Sequence, residues 1–151
     1  MPVVGVLDIA DRTWPMLRRI MGVHTFAYRA TRGVVGHRVP GAPPMLLLEH
    51  VGAKSGQRRT SPLAYVREGD DVVIVASKGG HPRHPAWFHN LKANPDTVVQ
   101  IGSERRPVRA REATAAERPR LWKAAVGTYD GYRGYQERTD REIPLVVLER
   151  R

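Results

Sequence analysis

The chain has 151 residues, enough for one domain with its own core. Its 25 Lys and Arg against 15 Asp and Glu give a formal net charge of +10, which points to an acidic partner: a phosphorylated or carboxylated small molecule, nucleic acid, or an anionic surface. Without cysteine there are no disulfides and no thiol chemistry, and no apolar run is long enough to span a bilayer.

Residues 1–10 read as a loose arm, and "MPVVGVLDIADR" lacks the basic start and long apolar stretch of a signal peptide. Helical spacing runs from Asp11 to about Arg32, with Trp14, Leu17, Ile20 or Met21, His24 and Tyr28 recurring at three or four. Arg12, Arg18, Arg19, Arg29 and Arg32 accompany this stripe. A basic helix with an apolar stripe can lie on a membrane surface, but packing on its own domain is the preferred expectation. "GHRVPGAPP" (36–44) is a Gly/Pro linker.

The pattern then turns to β. "MLLLEHV" (45–51) is a buried strand, and "PLAYVRE" and "DVVIVAS" flank the turn dipeptide "GD" as a hairpin. Pro85 opens a short helix, "PAWFHNLKAN", because proline is well tolerated in a first helical turn. "TVVQIG" and "RPVRARE" form a second hairpin around "SERR". Thr114 and Glu117 have capping-box spacing before "RLWKAAV", and Pro119 predicts a delayed start or a bend. "IPLVVLE" (143–149) is a last strand. Strands joined by hairpins, with few short helices, argue for a mainly β, α+β protein: an antiparallel sheet or barrel with an N-terminal helix.

Three segments could carry chemistry. "GAKSGQRRTSP" (52–62) is a glycine-bounded loop with Lys54, Arg58, Arg59 and the hydroxyls of Ser55, Thr60 and Ser61, the groups a phosphate needs. It is not a P-loop, and an ordinary solvated hairpin loop would look much the same. In "ASKGG" (76–80), Ser77 and Lys78 stand where a strand ends. In "TYDGYRGYQ" (128–136), Tyr129, Tyr132 and Tyr135 alternate with Gly127, Gly131 and Gly134. So many glycines make a poor helix and suggest a mobile lid; the alternative is tyrosines packed on the barrel mouth. His81, His84 and His89 are spaced by three and five and interrupted by Pro82 and Pro85, a poor ligand set, so no metal is expected. "GGHPRHPAWFHN" reads instead as a loop and helix start suited to an anion or a planar polar ligand. No triad or carboxylate pair has a convincing context, which suggests that a bound cofactor does the chemistry.

"GAKSGQRRTSPL", "VASKGGHPRHPAWFHNLKANP" and "YDGYRGYQERTDREIPLVVLE", in this order and spacing, resemble the deazaflavin-dependent nitroreductases of actinobacteria. The resemblance covers roughly residues 18–149, so residues 1–17 are set apart as arm and helix start and 18–151 as one split-barrel domain. It implies an antiparallel split β-barrel and a reductase using reduced coenzyme F420, whose phosphate and glutamate tail suit the basic balance. By resemblance, Ala53, Lys54 and Ser55 hold the phosphate side of the coenzyme, with Arg59 beside them. Thr60, Ser61, Pro62, Leu63 and Ala64 line the deazaflavin edge, and Ala76, Ser77 and Lys78 contact the ring from the opposing strand end. Ala86, Trp87 and Asn90 complete the pocket. Catalytic roles fall to Ser77, Tyr129, Tyr132 and Tyr135, with Tyr132 at both coenzyme and substrate. Ala64 departs from the family, where relatives often carry an aromatic, so a relative's substrate does not transfer.

The expected function is hydride transfer from reduced F420 to an electron-poor acceptor: a quinone first, an activated nitro compound or enone second. Ser77 and the tyrosines would donate hydrogen bonds to the acceptor. The expected setting is cytoplasmic, as a monomer or weak homodimer, with peripheral membrane contact through the N-terminal helix as an option and no nucleic acid. An FMN- or haem-binding split barrel and a basic nucleic-acid module are the competing classes.

Overall fold

Two short turns set the topology of the protein, whose computed structural model describes residues 4–33, 35–38 and 43–151; within the first helix, side chains are described at 15, 16 and 18–30. Gly69 and Gly102, both at φ 61°, sit in the left-handed region that tight hairpins require. Gly69 and Asp70 separate the pair Glu68–Asp71, and Gly102 and Ser103 separate Ile101–Glu104. The strands are β1 (Met45–Val51), β2 (Arg58–Glu68), β3 (Asp71–Val75), β4 (Asp96–Ile101), β5 (Glu104–Glu112) and β6 (Leu145–Arg150). They close a barrel in the order β1-β2-β3-β6-β5-β4, every pairing antiparallel.

Two strand boundaries differ from the sequence reading. "SERR" was expected as a turn, but Glu104, Arg105 and Arg106 already belong to β5. Arg106 is buried by its stem and held by Glu104 and the Asp70 carbonyl, so its charge does not mark a loop. Arg58–Pro62, expected in the loop, are strand, because β1 pairs with β2 from Met45–Ala64 out to Val51–Arg58.

β3 and β6 are buried on both faces, which is why they read as continuous apolar runs. Val72, Ile74, Val146 and Leu148 point into the barrel, where Trp87, Phe88 and Leu91 of α2 (Ala86–Ala93) pack with them. Val73, Val75, Leu145 and Val147 point outward into a second core, closed by Leu121 and Ala125 of α3 (Arg118–Thr128) and Tyr132 of α4 (Gly131–Glu137). Each such side chain contributes about 1.5–3 kcal/mol on full burial. The capping box forms: the Glu117 carboxylate accepts from the Thr114 amide (2.9 Å) and the Thr114 hydroxyl from the Glu117 amide (3.2 Å). The regular helix starts late, at Arg118, with Pro119 in its first turn.

α1 (Val4–Ala30) is longer than expected: residues 4–10, read as a loose arm, are helical. One Gly in that stretch costs only ~1 kcal/mol, too little to stop a helix already propagating from its C-terminal part. Among the described side chains, packing of the stripe on the domain holds at its C-terminal end. Tyr28 is fully buried; its hydroxyl accepts from the Gly102 amide (2.7 Å) and donates to the Met45 carbonyl (3.1 Å), and the His24 ring bonds the Gly36 carbonyl. Met16, Ile20, Met21, Val23 and Phe26 are exposed, so among the described residues nothing covers the apolar face above that anchor. Trp14 and Leu17 lie outside the described side chains, and residues 39–42 of the linker outside the described residues.

Candidate active site

The β1–β2 turn closes on itself. Gly52 N–H donates to the Gln57 carbonyl and Gly56 N–H to the Gly52 carbonyl, both at 2.9 Å. The Ser55 hydroxyl accepts from Gln57 N–H at 3.2 Å and fills the space a side chain at Gly52 would need. Lys54, Arg58 and Arg59 therefore project into solvent, and among the described residues no carboxylate pairs with any of them. A lysine on a rigid turn and two arginines at the start of the strand that leaves it, all without counter-charges, are arranged for an external anion.

A buried polar chain fixes this turn from below. The Ala53 amide donates to Asn90 Oδ1 (2.9 Å), Asn90 Nδ2 donates to His50 Nδ1 (2.9 Å), and His50 Nε2 then carries the proton and donates to Ser61 Oγ (2.9 Å). Burial, with Arg59 adding repulsion, pushes the His50 pKa down to about 4, so the imidazole is neutral at physiological pH. The strand pleat sorts the run 60–64. Ser61 points to His50, and Leu63 packs on the barrel core. Thr60, Pro62 and Ala64 alternate onto the outer face, in line with Val66, which packs against the second core. Only those three can offer side chains to an outer ligand; Ser61 and Leu63 can offer backbone alone.

The facing wall is built where β3 ends. Lys78, Gly79 and Gly80 are consecutive left-handed residues at φ 44°, 63° and 81°. A Cβ on Gly80 would lie 2.6 Å from the Tyr135 carbonyl, so α4 sits directly on this turn. Arg141 ties the turn together: its guanidinium donates to the carbonyls of Ala76 (3.2 Å), Ser77 (2.8 Å) and His81 (2.8 Å) and to His84 Nδ1 (3.0 Å). Ser77 is buried and Lys78 exposed.

Despite its glycines, the tyrosine segment is helical over Gly131–Glu137, with Tyr129 and Asp130 linking α3 to α4. Tyr129 packs edge-on to Tyr132 with centroids 5.0 Å apart, and the Tyr129 and Tyr135 hydroxyls are 3.0 Å apart. Gly131 leaves room for the Tyr129 ring lying over it. Tyr132 is 7% exposed, and burial pushes its pKa up to about 12, so it remains a neutral O–H donor. On α2, Ala86 is exposed and Asn90 lies beneath the turn, whereas the Trp87 ring packs inside the barrel.

The histidines have separate partners: His81 Nδ1 accepts from the Arg83 amide and His84 meets Arg141. No group of three potential metal ligands occurs among the described residues. A hollow of about 570 Å³ between α1 and the β4–β5 turn, lined by Phe26, Arg29, Arg32 and Arg105 among others, holds none of the nominated residues. Arg29 alone links it to the outer face of β2, through a hydrogen bond to Thr60.

Residues 20–150 match the family pattern described as F420H(2)-dependent quinone reductase. The chain belongs to that family. It is 48% identical over 139 residues, 88% of this chain and 91% of the relative, to a curated F420H(2)-dependent quinone reductase of Mycobacterium tuberculosis. Among solved structures, an F420-H2 dependent reductase (FDR-A) superposes with TM-score 0.65 at 47% identity, covering 70% of this chain and 94% of that one. A second, described as a domain-swapped dimer, gives TM-score 0.67 at 40% identity, covering 93% and 98%. The barrel is thus the split barrel of the F420-dependent reductases, and the enzyme is an oxidoreductase with reduced F420 as hydride donor. The chain's own chemistry fits that donor: the exposed, unpaired cations at and beside the β1–β2 turn suit a phosphate, and the neutral Tyr132 phenol among aromatic neighbours suits a flat, polar ring system.

The sequence reading missed His50 and Arg141. His50 follows Leu46 and Leu48 at period two, which marks it as an ionisable side chain on an inward face. Arg141 has no local pattern; its partners lie 57 to 65 residues away.

Proposed function

We propose that the coenzyme lies along the outer face of β2, with its phosphate at the 53–59 turn and its ring toward α4. The observation that carries this reading is the polarity of one strand face: the exposed Arg58 at one end, next to the Lys54 turn, and, beyond Ala64, the cluster holding Tyr132. The six residue steps from Arg58 to Ala64 span ~20 Å, so a ligand touching both ends must be elongated. Lys54 and Arg59 neutralise the phosphate, while the Ala53 and Ser55 segment shapes the turn. Thr60, Pro62 and Ala64 line the ring edge by side chain, Ser61 and Leu63 by backbone. Ala76, Ser77 and Lys78 form the opposite wall, and Ala86, Trp87 and Asn90 contribute from α2, Asn90 by anchoring the 53–59 turn.

Reduced F420 supplies the hydride when bound. The chain's part is to orient the acceptor and to meet the negative charge that grows on a quinone oxygen as it is reduced. Tyr132, a neutral phenol, donates to that oxygen, with Tyr129 and Tyr135 setting its ring and Ser77 as a second donor. Tyr132→Phe keeps the ring and removes the donor, so it should lower quinone turnover by about tenfold while F420 affinity changes little. Tyr132→Ala should also raise the acceptor KM. Steady-state quinone reduction, F420 Kd and Tm on all three proteins decide it: full turnover in the Phe variant would contradict the donor role, and an Ala variant that loses only stability would make the tyrosine packing.

The exposed row of α1 is assigned to a second copy of the chain. Met16, Ile20, Val23 and Phe26 are 58%, 55%, 69% and 74% exposed, at helical spacing. The relative described as a domain-swapped dimer supports a partner chain, and this exposed row is the apolar face free to take it. No described helix is long and apolar enough to cross a membrane, and the lack of cysteine fits a cytoplasmic enzyme. Sedimentation should show a dimer that Ile20→Asp plus Phe26→Asp converts to monomer; a wild-type monomer that binds anionic vesicles through these residues would assign the row to lipid instead.

A further inference from the structure

We propose that Arg141 is a positioning residue that holds the 76–84 segment in its binding shape; this rests on the reading of Ser77 and Lys78 as one wall of the coenzyme site. The segment reverses through Lys78, Gly79 and Gly80, all left-handed. A lysine at φ 44° is strained, and such backbone persists only where its surroundings over-determine it. The turn's own bonds are sparse: the amides of Gly80 and His81 donate to the carbonyls of Ser77 (2.9 Å) and Lys78 (3.1 Å).

Arg138 adds one long contact, to the Gly79 carbonyl (3.5 Å), and Arg141 supplies the rest. One planar guanidinium grips the chain before the reversal, at the Ala76 and Ser77 carbonyls, and after it, at the His81 carbonyl and His84 Nδ1. No carboxylate pairs with Arg141 among the described residues, so its charge is met by backbone and imidazole acceptors. His84 serves only as a neutral acceptor, and burial followed by the neighbouring Arg141 charge holds its pKa below the usual histidine value. Behind Arg141 the chain enters β6, where the Pro144 carbonyl accepts from the Ala76 amide (2.9 Å). In front of it lies α4, whose Gln136 Nε2 donates to the Arg141 carbonyl (2.8 Å). The clasp therefore joins three pieces of the site: the end of β3, the left-handed turn, and the helix carrying Tyr132. A fork of fixed donors is needed to span both arms of the reversal, and the compact ammonium of lysine cannot do so.

The test is Arg141→Lys, with amide hydrogen exchange resolved by segment, F420 Kd from deazaflavin fluorescence, and Tm. The expected result is exchange at residues 77–81 faster by about tenfold or more, with β1, β5 and the rest of the barrel still protected, and a Kd raised by about tenfold. Unchanged exchange at 77–81, or faster exchange there with unchanged Kd, overturns the proposal. If Arg141→Lys does not fold, His84→Ala removes one acceptor alone and should move exchange and Kd in the same direction by a few-fold; no change in either overturns it. Ser77→Ala plus Lys78→Ala separates the two claims. If that variant keeps full F420 affinity, the site reading fails; if it weakens binding and Arg141→Lys does not, the clasp fails.

Discussion

Replacing Lys54 and Arg59 together with alanine is expected to weaken F420 binding by about tenfold or more. A charge-assisted contact contributes roughly 1.5–3 kcal/mol, but exposed ion pairs often fall to ~0–1 kcal/mol because water screens them. Both side chains are exposed, so the lower range applies to each, and two together reach the ~1.4 kcal/mol of one decade. The turn should survive the change. Its hydrogen bonds run through Gly52, Ser55, Gly56, Gln57 and the Ala53–Asn90 contact, and neither mutated side chain takes part in them. Fluorescence titration with Tm measured alongside isolates the electrostatic loss, and rising salt should narrow the gap between wild type and variant. Undiminished affinity in a folded double variant would remove the phosphate role from this turn.

Acidification is expected to cost more stability in the wild type than in a His50→Gln variant. The His50 pKa is about 4 in the folded chain against 6.5 when unperturbed. Between those values the unfolded chain holds a proton that the folded chain does not, so lowering the pH favours unfolding. The stability linked to neutral His50 is complete above about pH 6.5 and is lost as the pH falls through about 4. A lowering from 6.5 to about 4 corresponds to up to ~3 kcal/mol, since each tenfold change in proton affinity is worth ~1.36 kcal/mol. Protonation also gives Nδ1 a hydrogen, which evicts the Asn90 amide and releases the Ala53 amide it anchors. His37 and His84 are shifted downward as well and add to the acid sensitivity of both proteins, so the informative quantity is the difference between them. Urea midpoints at pH 7 and pH 4.5 measure it. Equal losses in the two proteins would show that His50 does not titrate in this window.

The barrel was legible because its strands are short-range patterns. Continuous apolar runs at 45–48, 72–75 and 145–148 and glycine turns at 69 and 102 need only neighbours to be read. The motifs at 52–62, 76–80 and 128–136 were also visible, since cations, hydroxyls and aromatic rings between glycines are local features. What could not be read was pairing across distance. Whether Ser61 or Thr60 faces outward depends on the register with β1, and Ser61 turned inward to His50. The tyrosine segment misled for the same reason. Its glycines argue against a helix by propensity, but Gly131 is required beneath the Tyr129 ring, and docking on Gly80 stabilises the helix from outside. Arg141 looked like one surface charge among many until the fold placed four acceptors around it.

Hydride transfer from reduced F420 to a quinone by this chain is measured in one anaerobic assay. Protein, reduced F420 and a soluble quinone are mixed, and the return of oxidised F420 absorbance is followed beside a parallel reaction with reduced FMN. Many turnovers per protein are expected with reduced F420, saturable in both coenzyme and quinone, and no protein-dependent rate with reduced FMN. No acceleration with reduced F420, or acceleration with reduced FMN alone, would contradict it.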